Sequence, residues 1–330
     1  LQTMILEPAL FYLMLRVTPL DRRDVLRLID TLLFAAIAVS IIGLAGYFHL
    51  IGPVGVVVAE QGSARLSSVY GSPNNVALFL GRCIPFALAF AIFPTTITRR
   101  IAAIGVLALL GVTALLTQSV GALLLGIPAS VIVVLLAWNW RKGGALTLAI
   151  GALGALSLLI LPRFVPRLQG VLSGTRASSF VRTQLWQSTI NLLSERPLTG
   201  AGLDQFLYLY RSRYILPDAW REPDLSHPHN ILLDYWVSLG IAGVALLIAL
   251  QAAFWFSILQ TYRRVRQKDG LLTALCVGAM GSMADFLAHG AVDNSYFVVD
   301  LAYVFCLTLG LAVWLARQTE SIITPLAKTE

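Results

Sequence analysis

The sequence predicts an all-α, polytopic transmembrane helical bundle with one long extracytoplasmic loop that carries short helices. Three observations predict it. The chain is 57% hydrophobic and only 12% charged, with a mean hydropathy of +0.78, far from the balance of a soluble domain. Many windows of about 18 or more residues hold almost no charge, the signature of helices long enough to cross hydrocarbon. A single polar stretch, from residue 161 to about 231, interrupts that pattern.

In order along the chain, residues 5–17 form a first apolar stretch broken by Glu7, Pro8 and Arg16, and residues 25–48 a clear span. A polar loop follows, with Arg65 and the turn Gly71-Ser72-Pro73-Asn74-Asn75. Residues 76–93 span next, with Arg82 inside; 101–116 and 122–138 make a hairpin around Gln118-Ser119-Val120-Gly121, and 145–161 span again. After the long loop come 241–259 and a last hairpin, 271–288 and 297–316, turning around His289. That is about nine membrane segments. The expected organisation is N-terminal transmembrane helices over 1–161, the long loop with the chemistry over 162–240, and C-terminal transmembrane helices over 241–330. The chain starts with Leu1 directly on a membrane-like stretch, so further helices are expected before it.

The net charge of +7 does not point to nucleic acid, because the basic residues sit in short loops between apolar spans, where they set topology. Arg22, Arg23, Arg27, Arg99, Arg100, Arg141, Lys142, the basic residues of 263–268, Arg317 and Lys328 collect on one side, which is then cytoplasmic. The long loop holds eight arginines, but a loop beyond about 60 residues crosses largely regardless of charge. It is therefore expected outside. Cys83, Cys276 and Cys306 all lie in apolar segments, far apart, and read as small core residues.

Within the loop, Arg182 and Trp186 lie four apart, on one face if the segment is helical. Arginine suits planar, bidentate phosphate recognition, and Trp186 suits headgroup depth. Leu198-Thr199-Gly200-Ala201-Gly202 makes a flexible turn. His227-Pro228-His229-Asn230 then opens a new helical pattern, and Pro228 as a first helical residue would put His229 in the first turn. There the helix dipole favours a neutral imidazole, which suits a general base. Arg82, Asp285 and His289 are ionisable groups within or at the ends of spans, where they face a partner or a cavity. Arg82, His289 and Asp293 lie toward the same side as the loop. The four histidines show no standard metal-ligand spacing, and Asp218, Glu222 and Asp224 read as a solvated loop face. Neither a metal nor another cofactor is expected.

Taken together, Arg182-x-x-x-Trp186, then Pro197-Leu198-Thr199-Gly200-Ala201-Gly202, then His229-Asn230 ahead of Gly240-Ile241-Ala242-Gly243 resemble the O-antigen ligase/polymerase superfamily. The Arg65…Pro73-Asn74-Asn75 loop and the His289-Gly290…Asp293-Asn294 turn extend the resemblance over most of the chain. It implies a bacterial cytoplasmic-membrane glycosyltransferase that takes a glycan from a polyprenyl diphosphate without a metal. Its partners would be that donor, a lipid or glycan acceptor and the bilayer. It further implies His229 as the base and Arg182 as a phosphate clamp, with Arg65, Arg82, Trp186, Asn230, His289 and Asp293 as substrate-binding candidates. The acceptor stays open: a lipid core (ligase), another repeat unit (polymerase) or a protein hydroxyl (oligosaccharyltransferase). One departure stands out. The family's hairpin often reads Ser-Arg-Gly, and here it is Ser119-Val120-Gly121, which leaves room for a non-catalytic membrane subunit that retains the fold.

The orientation has a direct check. A topology reporter fused after Arg266 is expected on the cytoplasmic side and one inserted near Asp218 on the other; both on one side would overturn the assignment.

Overall fold

The computed structural model describes residues 2–52, 55–58, 63–160 and 177–323. The first part of the long loop and the tail with Lys328 lie outside these. The chain divides into two compact units: Leu1–Gly144, Ala253–His289 and Ser295–Glu330 in one, Ala145–Ala252 and Gly290–Asn294 in the other.

In the first unit, α1 (Glu7–Val17) begins with an early proline, and α2 (Arg22–Tyr47) begins with a capping box. The Asp21 carboxylate accepts the Asp24 N–H at 2.8 Å and the Asp24 carboxylate accepts the Asp21 N–H at 3.1 Å, pairing donors that a helix start leaves open. The polar loop after α2 carries a short antiparallel hairpin, β1 (Val56–Val58) on β2 (Ala64–Leu66), with Val57 opposite Arg65. Then come α3 (Pro73–Ile92), α4 (Ile97–Thr117) and α5 (Ile127–Trp138), with α4 and α5 both packed on α3. Helix α3 is buried almost all round from Val76 to Phe90, as a central helix must be. By contrast α2 and α4 leave Phe34, Ile41, Ile101, Ile104, Val112 and Leu115 exposed, an apolar outer face suited to hydrocarbon. Within this unit lie most of α9 (Gly270–Gly290) and the whole of α10 (Val299–Ile323), against which α1 packs.

Where α3, α5 and α9 converge, Gly81 and Gly126 face the Asp285 carboxylate so closely that a Cβ at either position would overlap it. Asp285 lies 3.1 Å from the Arg82 guanidinium. A pair of charges is thus sealed inside the unit by helices that touch through glycine, the small-residue contact that membrane bundles favour.

Among the described residues six helices are long and apolar enough to cross a membrane: α2, α3, α4, α9, α10 and α8 (Ile231–Val265). Six of the nine expected segments meet that length and composition among the described residues. Helix α1 continues a π-helical turn at Gln2–Leu6, so the helical stretch runs from Gln2 to Val17. The apolar helical stretch Ala122–Trp138 is shorter than these six. Helix α6 (Trp140–Ile160) runs to the edge of the described residues. Hydropathy registers that a segment is apolar, not how far its helix continues.

The second unit is built on α7 (Ala177–Glu195). Leu185, Leu192 and Leu193 form its buried face and pack with Phe206, Tyr210, Tyr214 and Val237, the i, i+7, i+8 spacing of one helical stripe. Val237 belongs to α8, which breaks at Gly240 (φ 68°, ψ −165°). That conformation is essentially confined to glycine. The break frees carbonyls of the helix's first part, and the Leu198–Gly202 turn takes them up. Ala201 and Gly202 donate N–H groups to the Val237 carbonyl at 2.7 and 3.1 Å, Trp236 donates its indole N–H to the Pro197 carbonyl at 2.7 Å, and Ile241 donates its N–H to the Leu198 carbonyl at 3.1 Å.

A Cβ at Gly240 would overlap the Leu198 carbonyl. Gly240→Ala is therefore expected to lower stability by about 2 kcal/mol or more, read as a drop in unfolding temperature in detergent, whereas Gly151→Ala on the open surface of α6 should not.

Candidate active site

Helix α7 presents Arg182 and Trp186 on one face, both half-buried. Trp186 donates its indole N–H to the Pro228 carbonyl at 2.9 Å, and so fixes the backbone immediately before His229. His229 itself is left-handed, with φ 49°. Asn230 is the residue that starts α8: its Oδ1 accepts the N–H groups of Leu232 and Leu233 at 3.0 and 3.1 Å. Its Nδ2 donates to the Ala291 carbonyl at 3.0 Å. The expectation that His229 lies in the first helical turn is thus corrected. Asparagine is among the strongest N-caps, and it starts the helix at Ile231, three residues later than Pro228 suggested.

The left-handed backbone turns the His229 ring to Asp293, whose Oδ1 lies 2.7 Å from Nδ1. The same Oδ1 accepts the Asn294 N–H at 2.9 Å. Arg182 Nη2 lies 3.6 Å from Asp293 Oδ2, an ion pair rather than a tight hydrogen bond. Side-chain exposure separates the three: 5% for Asp293, 19% for His229 and 22% for Arg182. The carboxylate is the inner anchor, and the two groups it holds reach the surface. With an ionised carboxylate accepting from Nδ1–H, Nε2 is the nitrogen that carries the lone pair. The His227 ring stands 4.2 Å from that of His229, centroid to centroid. Burial above all, and the His229 ring next to it, push the His227 pKa down to about 3, so it is neutral at ordinary pH.

The other predicted residues divide. Trp186 and Asn230 are in this cluster, with their polar groups committed to the chain. Arg65, Arg82 and His289 belong to the first unit. Arg82 is enclosed: besides Asp285 it reaches the Ser282 carbonyl at 3.2 Å and both oxygens of Ser295, and it lies over the Phe286 ring at 4.9 Å. With 3% of its side chain exposed it offers no face to a ligand. His289 is equally buried. Arg65 instead donates Nε–H to the Thr117 carbonyl at 2.9 Å and Nη2–H to Asn74 Oδ1 at 3.0 Å. That brings its guanidinium to the start of the Gln118–Gly121 hairpin. Asp224 pairs with Arg211 at 2.7 Å on the surface, as a solvated loop face does.

The expectation that no residues make a metal-ligand set holds along the chain and not in space. His227, His229 and Asp293 bring donor atoms within 4.8 Å of one another. Sequence reasoning missed His227, whose two-residue spacing from His229 is uninformative until Asp293 joins it from a distant turn.

Residues 104–248 match the family model described as O-antigen ligase. The match includes Arg182, Trp186, the Leu198–Gly202 turn, His227, His229, Asn230 and Gly240. No curated protein matches the chain.

The neutral state of His227 has a measurable sign. Its folded pKa of about 3 lies below the unfolded value of about 6.5. Its contribution to stability is therefore present above about pH 6.5 and is lost progressively as pH falls toward 3. The unfolding temperature should drop between pH 7 and pH 5, and drop less in His227→Asn.

Proposed function

We propose, from the match of residues 104–248 to the family model described as O-antigen ligase together with the geometry of the site, that the chain is a glycosyltransferase of the ligase type. It transfers a glycan from a polyprenyl diphosphate, undecaprenyl diphosphate in the bacterial cytoplasmic membrane, to an acceptor hydroxyl on the membrane's outer face. The observation that carries the reading is the Asp293 carboxylate, 2.7 Å from His229 Nδ1 and 3.6 Å from Arg182. One buried anion aims a base and restrains a cation beside it.

The diphosphate is a good leaving group, so the difficulty lies in making the acceptor oxygen nucleophilic. His229 Nε2 takes the hydroxyl proton as that oxygen bonds to the anomeric carbon. The bond from the same carbon to the diphosphate oxygen breaks, and the electron pair departs with the diphosphate. Asp293 keeps the imidazole in the required tautomer and stabilises the imidazolium that forms, as the carboxylate of a hydrolase triad does. Arg182 binds the diphosphate and meets its growing charge at a surface where little water screens it. Charge on an arginine close to its own carboxylate partner is held in place before the donor arrives. No step needs a metal ion.

A positioned general base contributes about 10²–10⁴-fold. His229→Ala should lower turnover by that factor with donor binding nearly intact. Asp293→Asn should lower it as well, by disturbing the tautomer. Arg182→Ala should weaken donor binding and turnover together, and Arg182→Lys should rescue only in part, because a point charge lacks the bidentate fork. Transfer of a labelled lipid-linked glycan by the purified protein, with and without EDTA, is the assay. Near-wild-type turnover in folded His229→Ala would sink the assignment of the base.

A further inference from the structure

The imidazole pair His227 and His229 is an arrangement that base catalysis by itself does not require. Pro228 between them and the left-handed backbone at His229 fold a two-residue spacing back on itself, so that the rings stand 4.2 Å apart and tilted by 60°. Asp293 closes the third side, bringing donor atoms of all three within 4.8 Å of one another. Two imidazole nitrogens and one carboxylate oxygen are the donor set of zinc and its neighbours in the first transition row. Calcium and magnesium need more oxygen than this cluster offers. Donors around a tetrahedral zinc ion lie about 3.4 Å apart, so the widest pair has to close by about an ångström and a half. Histidines that are only half-buried have room to turn that far.

We propose that His227, His229 and Asp293 bind one divalent ion of the zinc class, and that this ion reversibly shuts off the site. A metal bound here takes an imidazole lone pair and the carboxylate that orients it, the two things proton transfer from an acceptor needs. The ion is an inhibitor, not a cofactor. Arg182, 3.6 Å from Asp293 Oδ2, competes for the same carboxylate and weakens the site's affinity for the ion. The inhibition rests on His229 acting as the base; the binding does not.

Zinc titration of the full-length purified protein, followed by calorimetry, tests the binding half. One zinc ion per chain is expected, with no comparable uptake of magnesium. His227→Asn should weaken zinc binding at least tenfold, and Arg182→Ala should tighten it. In the glycan-transfer assay, zinc should inhibit the wild type over the range in which it binds, EDTA should restore turnover, and His227→Asn should need at least ten times more zinc for the same fractional loss. Turnover of His227→Asn in EDTA reports that the variant is folded; if it is inactive there, calorimetry together with its unfolding temperature takes over as the readout. The site is overturned if no stoichiometric zinc binds, or if binding is undiminished in folded His227→Asn. Stoichiometric, His227-dependent binding without inhibition overturns the regulatory half together with the role of His229 as base, and leaves the metal site standing.

Discussion

A helix broken beside a membrane must have its freed carbonyls paired, because water is scarce and an unpaired peptide group is costly there. Helix α8 is broken at Gly240, and the Leu198–Gly202 turn supplies the missing donors. The second unit depends on this exchange. It fixes the first part of α8 against α7 through Val237 and the leucines beneath it. The start of that helix is in turn where Asn230 and His229 stand. A family of glycine-containing motifs that look like flexible turns in sequence is thus a rigid joint, and its product is the position of an imidazole.

Two of the aspartate–arginine pairs show how exposure decides what a charge does. Arg82 and Asp285 lie 3.1 Å apart with almost no surface between them, and every approach is filled by helix backbone, serine oxygens or the Phe286 ring. Breaking such a pair leaves an uncompensated charge in a dry interior, so it pins helices together. Arg182 and Asp293 are looser, at 3.6 Å, and the arginine is accessible. A pair of this kind gives up one partner to an incoming anion at small expense. The same residue types, in the same chain, become a structural pin in one place and a loose, accessible pair in the other.

The fold class was legible because hydropathy is summed over whole helices, and six of the expected segments are long apolar helices. The helix ends were not, since the helical stretch over Gln2–Val17 and the Ala122–Trp138 stretch are apolar but shorter than the six. Arg182, Trp186 and His229 were legible as a motif. Their geometry was not: Pro228 looked like a helix start, and Asn230 with its two N–H partners outweighs it. Arg82 and Asp293 looked alike in sequence, each an ionisable residue in or near a span. Only packing separates an arginine enclosed by glycine-lined helices from a carboxylate placed beneath an imidazole. The cluster of His227, His229 and Asp293 was invisible for the plainest reason, that 64 residues separate even the nearer histidine, His229, from the carboxylate.

That separation also sets a schedule. A chain emerging from the ribosome and entering the bilayer segment by segment delivers Arg182 first and His229 next. It must then complete α8 and thread α9 before Asp293 can arrive. Until it does, His229 has no carboxylate to aim it and Asn230 no Ala291 carbonyl to hold. The nascent protein therefore carries Arg182 and His229 before the carboxylate that pairs with both, and insertion of α9 is the event that brings the three together.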